Sequence, residues 1–197
     1  MPVDIKQVGL DLLAAYAAIP ISFKVESILR VDAIDQGLGG LALVEEKANP
    51  PYVKDYGQDS GDEADSPIAW PKQFDISRWG IFLAYDGPRP VGGAAVAVDT
   101  PGLNMLEDRR ELAVLWDIRV CTDVRGHGIG AALLRHAADW ARQQGCTQLK
   151  IETQSVNVPA CRFYASQGCT LGAIHRYGYA ACSSVAHEAM LLWYLDL

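Results

Sequence analysis

The pattern of hydrophobic and polar positions predicts mainly strands over the first 120 residues of the chain. Apolar runs rich in branched side chains predict strands at residues 23–31, 41–48 and 112–120. Residues 79–98 predict a hairpin, because two apolar runs flank the turn at Gly87 and Pro88. The strand at 112–120 is apolar on both faces for most of its length, which is typical of the centre of a sheet.

Helical periodicity is found in the second half of the chain, between further strands. Residues 128–144 predict a helix, because apolar side chains recur at helical spacing until Gly145 ends it. Residues 157–168 predict a shorter helix, since Asn157 is a good N-cap, a proline follows, and Gly168 closes it. Further strands are predicted at 147–153, 169–179 and 188–195. The predicted fold class is therefore α/β with a mixed sheet.

The first 20 residues predict an amphipathic helix. Asp4 and Asp11 interrupt the apolar run that a secretion signal would need, and no basic segment precedes that run. Apolar runs elsewhere are shorter than the roughly 18–20 residues that span a bilayer. We therefore expect a cytoplasmic protein with no membrane partner.

Composition narrows the class of partner. The 197 residues suffice for one domain with a sizeable core, and half of them are hydrophobic. The net charge of −7 argues against a nucleic-acid partner, because phosphates would be repelled. The five cysteines form no C-x-x-C pair and the four histidines no metal-binding spacing. We expect buried reduced thiols and no metal.

Residues 53–75 differ in composition from the rest of the chain. This stretch combines glycines and prolines with a cluster of acidic residues that includes Asp55, Asp59, Asp62, Glu63 and Asp65. It predicts a long surface loop with a short helix. Two interpretations stay open, a solvated insertion or a lid that attracts a cationic ligand.

The run RGHGIG at residues 125–130 is the strongest candidate for a phosphate-binding loop. A P-loop is excluded, because no Lys-Ser or Lys-Thr pair follows the glycines. A dinucleotide fingerprint is met formally by Gly126, Gly128 and Ala131, with Glu152 about 20 residues on. Five residues, 121–125, separate the first fingerprint glycine from the preceding strand, however, which disfavours that interpretation. In the third reading, R-x-x-G-x-G at a helix start offers free N–H groups to a pyrophosphate.

Two motifs in order resemble the GNAT acetyltransferase superfamily. R-x-x-G-x-G is followed by N-x-x-A-x-x-F-Y-x-x-x-G at residues 157–168, and the resemblance covers about 79–197. It implies a mixed, mostly antiparallel central sheet with a splayed parallel strand pair and flanking helices. Within the superfamily, residues 152–164 are similar to the E-T-Q-x-x-N-x-x-A-C-x-F-Y stretch of streptothricin acetyltransferases. Cys169 stands where the superfamily usually has Phe, and no proline follows Val120.

The resemblance also implies how acetyl-CoA is held as cosubstrate. The strand end at 117–120 is expected to splay from the strand at 150–153 and to pair with the pantetheine arm. Its cofactor-binding residues are Ile118, Arg119 and Val120, with the Ile118 N–H serving the oxyanion. Asn157 is expected to hydrogen-bond the pantetheine. The pyrophosphate would be held by the loop residues, which are Arg125, Gly126, His127, Gly128, Ile129 and Gly130.

Three side chains are candidates for the chemistry of acetyl transfer. Tyr164 lies seven residues after Asn157, almost two helical turns, and is expected to protonate the departing thiolate. Glu152 and Asp117 are the candidate bases, with Glu152 ranked first because it precedes Asn157 by five residues, as in some superfamily members. Either carboxylate could act directly or through a water. Tyr177 and Tyr179 are candidates for the acceptor site, although simple packing explains them equally well.

We therefore expect a single acetyltransferase domain over 1–197. Residues 1–78 would form a variable acceptor-side part and 79–197 the acetyl-CoA-binding core. The expected activity is acetyl transfer to a primary amine of a small molecule, with a streptothricin-type antibiotic as a candidate. A protein or peptide acetyltransferase and a non-catalytic acyl-CoA-binding regulator are the alternatives. A homodimer is left open.

Overall fold

The computed structural model describes residues 3–57 and 66–197. The chain folds into two compact units that are interleaved along the sequence. The first comprises Met1–Ile21, Ser60–Ile151 and Asp196–Leu197, and the second comprises Ser22–Asp59 and Glu152–Leu195. The predicted division near residue 78 stays a prediction.

Nine strands and four α-helices make up the regular structure of the described residues. The strands are β1 (Asp4–Gln7), β2 (Ser22–Ala33), β3 (Leu41–Asp55), β4 (Gly80–Asp86), β5 (Arg89–Val98), β6 (Leu112–Val120), β7 (Gln148–Gln154), β8 (Thr170–His175) and β9 (Met190–Asp196). The helices are α1 (Leu13–Ala17), α2 (Trp70–Gln73), α3 (Ile129–Gln143) and α4 (Val158–Ser166).

Seven of these strands form one mixed sheet in the order β1-β4-β5-β6-β7-β9-β8, and β2 pairs with β3 separately. The β6–β7 pair is parallel, whereas the β1–β4, β4–β5, β5–β6 and β8–β9 pairs are antiparallel. The predicted fold class, a mostly antiparallel sheet with one parallel pair and flanking helices, is confirmed.

In the first unit, helices pack on both faces of the sheet. The apolar stripe of α3 is buried, as its helical spacing predicts, by Leu133, Leu134 and Ala137 among others. On the opposite face, α1 and α2 contribute Tyr16 and Trp70 to the hydrophobic core.

Two adjacent glycines of β5 permit this close packing on both faces. A Cβ on Gly92 would lie 3.0 Å from the Leu133 side chain, and one on Gly93 would lie 2.5 Å from the Tyr16 ring. A real Cβ is not found that close to a ring carbon, so the glycine at 93 makes room for Tyr16.

The second unit is built around the end of β7, the helix α4 and the β8–β9 pair. The β2–β3 hairpin belongs to this unit, and the Leu29 N–H donates to the Ser155 carbonyl over 2.9 Å. The Trp193 indole N–H donates to the Thr153 hydroxyl over 3.1 Å, which satisfies two buried polar groups. Val158, Cys161 and other apolar side chains fill the interior.

The N-terminal prediction was wrong in its first residues. Asp4–Gln7 form strand β1 against β4, and the helical part begins later, with the 3₁₀ turn Leu10–Leu12 and α1. Pairing with the edge of β4 gives the N–H and C=O groups of Asp4–Gln7 hydrogen-bond partners. A short helix over the same residues would be only marginally stable.

The acidic stretch at 53–75 is described only at its two ends. Val53 and Asp55 belong to β3, and the helical residues 67–73 confirm the expected short helix. Asp59, Asp62, Glu63 and Asp65 lie outside the described residues. Within 3–57 and 66–197, no helix is both long enough and apolar enough to cross a membrane.

Candidate active site

The strand β6 carries a β-bulge where its pairing with β7 stops. The parallel register runs from Leu112↔Gln148 to Leu115↔Ile151, although β6 continues to Val120. On the other side, Ala95 opposes Asp117 and Val96 opposes Leu115, so Trp116 is the extra residue. The ladder therefore ends where the sequence analysis expects the two strands to part.

The backbone groups of Ile118 and Val120 point away from β5. The Cys121 N–H donates to the Val91 carbonyl over 2.9 Å, which makes Cys121 and Val91 a hydrogen-bonded pair. Antiparallel pairs alternate, so Arg119 and Asp117 also turn their backbone groups to β5. The backbone groups of Ile118 and Val120 therefore face the opposite edge of β6, which is the edge an added extended chain would pair with.

The Asp117 carboxylate lies at the centre of a buried network. Its Oδ1 accepts from the Tyr16 hydroxyl at 2.7 Å and from Arg119 Nε at 2.8 Å, and its Oδ2 accepts from Arg119 Nη2 at 2.5 Å. Arg119 Nη1 also donates to the Ile19 carbonyl at 3.2 Å. Burial, and then the charge of Asp117, hold the pKa of Tyr16 well above its ordinary value. Tyr16 is therefore a neutral donor at physiological pH.

The glycine loop has the backbone that a phosphate cradle needs. Gly126 and Gly128 have φ of 80° and 84°, in the left-handed region that favours glycine, and Gly128 is the N-cap of α3. Space around both is open, with no heavy atom within 4 Å of an added Cβ. The first N–H groups of a helix have no acceptor within it, and the helix dipole favours an anion there.

Two side chains brace this loop. Arg125 Nε donates to the Val120 carbonyl over 2.9 Å, which ties the loop to the end of β6. The exposed His127 places Nδ1 3.2 Å from the Val124 carbonyl and 3.1 Å from that of Arg125. His127 faces solvent, and its ring nitrogen also fastens the turn.

In the second unit, Glu152 and Tyr179 are brought together. The Tyr179 hydroxyl donates to Glu152 Oε1 over 2.5 Å. Burial first, and then the charge of Glu152, raise the pKa of Tyr179 well above its ordinary value. Glu152 itself is exposed. An exposed carboxylate held by a neutral phenol can accept a proton from an incoming group.

Asn157 makes two different hydrogen bonds. Its Oδ1 accepts from the Ala160 N–H at 3.2 Å, which caps α4 as predicted. Its Nδ2 donates to the Tyr56 hydroxyl at 3.4 Å. Tyr56 lies in the stretch 53–75 but was given no role from the sequence, and burial raises its pKa well above the ordinary value.

The remaining predicted side chains differ in exposure. Tyr164 is buried in the second unit, with its ring 5.2 Å from that of Phe163. Tyr177 is 67% exposed and its N–H donates to His175 Nδ1 at 3.2 Å, so a packing role in the core is excluded.

Sequence reasoning also missed the buried ion pair of Lys54 with Glu188 in the second unit. The two residues are 134 positions apart, and neither lies in a recognisable motif. Across residues 3–57 and 66–197, no group of three or more His, Cys, Asp or Glu side chains is arranged to hold a metal ion.

The fold and the two motifs define a class of enzyme. The model of the acetyltransferase (GNAT) family matches residues 42–169, well over half of the chain. The chain therefore belongs to this family, and the prediction of an acetyl-CoA-dependent N-acetyltransferase is confirmed at the level of the family.

Within the family, the chain is similar to streptothricin acetyltransferases. It is 31% identical to the streptothricin acetyltransferase of Streptomyces lavendulae, over 87% of this chain and 83% of that protein. It is 29% identical to streptothricin acetyltransferase A of Bacillus subtilis, over 79% of this chain and 80% of that protein.

Solved structures show the same fold. A nourseothricin acetyltransferase crystal structure aligns with a TM-score of 0.76 at 25% identity, over 100% of this chain and 99% of that one. A Bacillus anthracis protein solved in complex with acetyl coenzyme A aligns with a TM-score of 0.77 at 22% identity, over 100% of both chains.

Proposed function

We propose that this acetyltransferase moves an acetyl group from acetyl-CoA to a primary amine of a small molecule of the streptothricin type. Its relatives of 29–31% identity are streptothricin acetyltransferases, which supports this class of acceptor. A primary ammonium has a pKa near 10.4, so it must lose a proton before it can attack a thioester. The enzyme needs a base at the acceptor, donors for the oxyanion and an acid for the thiolate.

The hydrogen bonds and the exposure of the two candidate bases decide which of them can take the proton of the amine. Both oxygens of Asp117 already accept hydrogen bonds from Tyr16 and Arg119, and its side chain is 9% exposed. Glu152 is exposed, and its Oε1 is oriented by Tyr179. We assign the role of general base to Glu152, directly or through one water, and the role of orienting it to Tyr179.

The first unit supplies features that fit acetyl-CoA as a substrate. The open turn at Gly126 and Gly128 offers N–H groups and the positive end of α3 to a pyrophosphate. The edge of β6 offers the backbone of Ile118 and the N–H of Val120 to an extended, amide-containing arm. In this assignment the Ile118 N–H donates to the oxyanion and Tyr164 protonates the leaving thiolate.

A panel of acceptors tests the function. Free thiol released from acetyl-CoA is measured with streptothricin, aminoglycosides, polyamines, amino acids and a lysine peptide. We expect turnover with streptothricin and little with the peptide, and mass spectrometry should show one added acetyl group. Faster turnover with the lysine peptide would show that the acceptor is a peptide or protein and not a small molecule. No thiol release with any amine, from protein that is folded and stabilised by acetyl-CoA, would contradict the activity.

Two tyrosine variants test the assignment of the acid. Tyr164→Phe should lower kcat more than it changes the affinity for acetyl-CoA, because a general acid acts in the transition state. Tyr194→Phe on β9 is the matched control, since it removes a hydroxyl from a half-buried tyrosine of the same unit. Weakened acetyl-CoA binding with unchanged kcat would remove the acid role from Tyr164.

A further inference from the structure

Asp117 and Arg119 flank Ile118, the residue whose N–H is assigned to the oxyanion. Both turn their backbone groups toward β5, and their side chains lie on the same face of β6. The Ile118 N–H faces the opposite edge, beyond the point where β7 pairs with β6. Its direction therefore depends on how firmly its two neighbours are held.

The network around Asp117 holds both neighbours. The Arg119 guanidinium binds the Asp117 carboxylate through two nitrogens, a geometry that fixes the two side chains relative to each other. The Tyr16 hydroxyl on α1 donates a further hydrogen bond to Asp117. The Ile19 carbonyl, just after α1, accepts one from Arg119. The Arg119 guanidinium carbon also lies 5.0 Å from the centre of the Tyr16 ring.

The backbone of β5 is shaped to admit this network. Gly93 is the register partner of Arg119, and a Cβ at this position would meet the Tyr16 ring at 2.5 Å. Tyr16 is fully buried, and the side chains of Arg119 and Asp117 are 6% and 9% exposed. A buried ion pair adds little net stability compared with apolar side chains of similar size, so stability alone does not explain it.

We propose that Tyr16, Asp117 and Arg119 are positioning residues that fix the Ile118 amide for the oxyanion of acetyl transfer. This inference rests on the proposed function and deepens it. The three side chains neither accept a proton nor touch the thioester. They act through the β6 backbone next to the Trp116 bulge, where the strand has lost its β7 partner and would otherwise be free to twist.

The sharpest test is Tyr16→Phe, which keeps the ring over Gly93 and removes one hydrogen bond to Asp117. We expect kcat to fall about tenfold while KM for acetyl-CoA changes less than twofold, because an oxyanion donor acts in the transition state. The assay is run at a temperature where melting curves show both proteins fully folded. Tyr85→Phe, on the half-buried tyrosine of β4, is the matched control and should keep the wild-type kcat.

Amide hydrogen exchange measured by NMR provides a second readout that does not depend on activity. The Arg119 N–H, which pairs with β5 beside Ile118, should exchange at least tenfold faster in Tyr16→Phe than in the wild type, whereas the amides of β4 should keep their rates. Asp117→Asn, which preserves shape but removes the charge, should lower kcat and raise the Arg119 exchange rate further.

Two kinetic outcomes would overturn the inference. The first is an unchanged kcat in Tyr16→Phe, and the second is a raised KM with kcat preserved, which would indicate uniform binding. Failure of the proposed function is distinguishable, because the wild type would then be inactive with every amine while the exchange experiment still reports on the β6 backbone at Arg119. Unchanged Arg119 exchange in both variants would reject the positioning role by itself.

Discussion

Asp117 and Glu152 are two carboxylates on two strands, and each accepts a hydrogen bond from a tyrosine. Asp117 is buried, ion-paired with Arg119, and belongs to the first unit. Glu152 is exposed, accepts from Tyr179, and belongs to the second unit. Both carboxylates lie near the end of a strand, yet one is buried and ion-paired and the other is exposed.

A neighbouring tyrosine therefore does not by itself identify a base. Tyr16 completes a carboxylate that an arginine already neutralises, so protonating Asp117 would break an ion pair inside the core. Tyr179 orients a carboxylate that solvent can still reach. A carboxylate suited to proton transfer must be both oriented and accessible, and of these two Glu152 meets both requirements.

The largest expected effect is on turnover. Glu152→Gln should lower kcat/KM by about 10²–10⁴-fold at neutral pH, because the amide cannot take the proton of the acceptor. The amide oxygen can still accept from Tyr179, and an exposed site tolerates substitution, so the free energy of unfolding should change by less than about 0.5 kcal/mol. Steady-state thiol release and urea unfolding measure the two quantities. Activity within threefold of wild type would return the role of base to Asp117.

The second effect is on stability. Asp117→Ala should lower the free energy of unfolding by about 3–5 kcal/mol, because it leaves the Arg119 guanidinium buried without its carboxylate. The double variant Asp117→Ala/Arg119→Met should recover part of this loss, since no unpaired charge remains. Urea unfolding checks both. If the double variant were less stable than the single one, the burial cost of the arginine would not be the cause.

The third effect is the pH dependence of the stability that Tyr16 contributes on the Asp117 side of the comparison. The pKa of Tyr16 is raised in the folded state, so the unfolded chain loses this proton first as the pH rises above about 10. The stabilising contribution of Tyr16 is therefore complete below about pH 10 and declines as the pH rises toward the folded pKa. The decline is at most about 1.4 kcal/mol per pH unit. Urea unfolding at pH 9 and pH 11 should show a smaller wild-type advantage over Tyr16→Phe at pH 11. A constant advantage would argue against the burial of Tyr16.

The smallest effect concerns the helix that follows Glu152. Asn157→Ala should cost about 1 kcal/mol of stability, because α4 loses its N-cap. Asn157→Asp keeps the capping oxygen and loses the Nδ2 bond to Tyr56, so it should cost less than the alanine variant. Equal losses in urea unfolding would mean that the bond to Tyr56, rather than the cap, supports this part of the second unit.

The sequence predicts best what local rules decide. The bounds of β6 and the capped start of α4 follow from the length of an apolar run and from one Asn-x-Pro segment, and both are confirmed. The strand β1 was missed because a strand of four residues, mostly exposed, carries too little pattern of its own. Its conformation is decided by the free edge of β4, which lies far along the chain.

The contacts of the site were less predictable than its motifs. Tyr16 and Asp117 are 101 positions apart, and so are Tyr56 and Asn157. Neither tyrosine stands in a motif, and their partners are selected by the tertiary fold. Asp117 was a reasonable candidate base on sequence alone, because nothing in the strand pattern reveals that Arg119, two residues later, turns back to bind it.

The interleaving of the two units has a consequence for how the gene can be divided. The first unit consists of three chain segments and the second of two, so the main chain passes between them four times. Any contiguous fragment long enough to contain one complete unit also carries much of the other. Expression of either unit alone would require rejoining segments by circular permutation or new linkers, and simple deletion from one end would damage both.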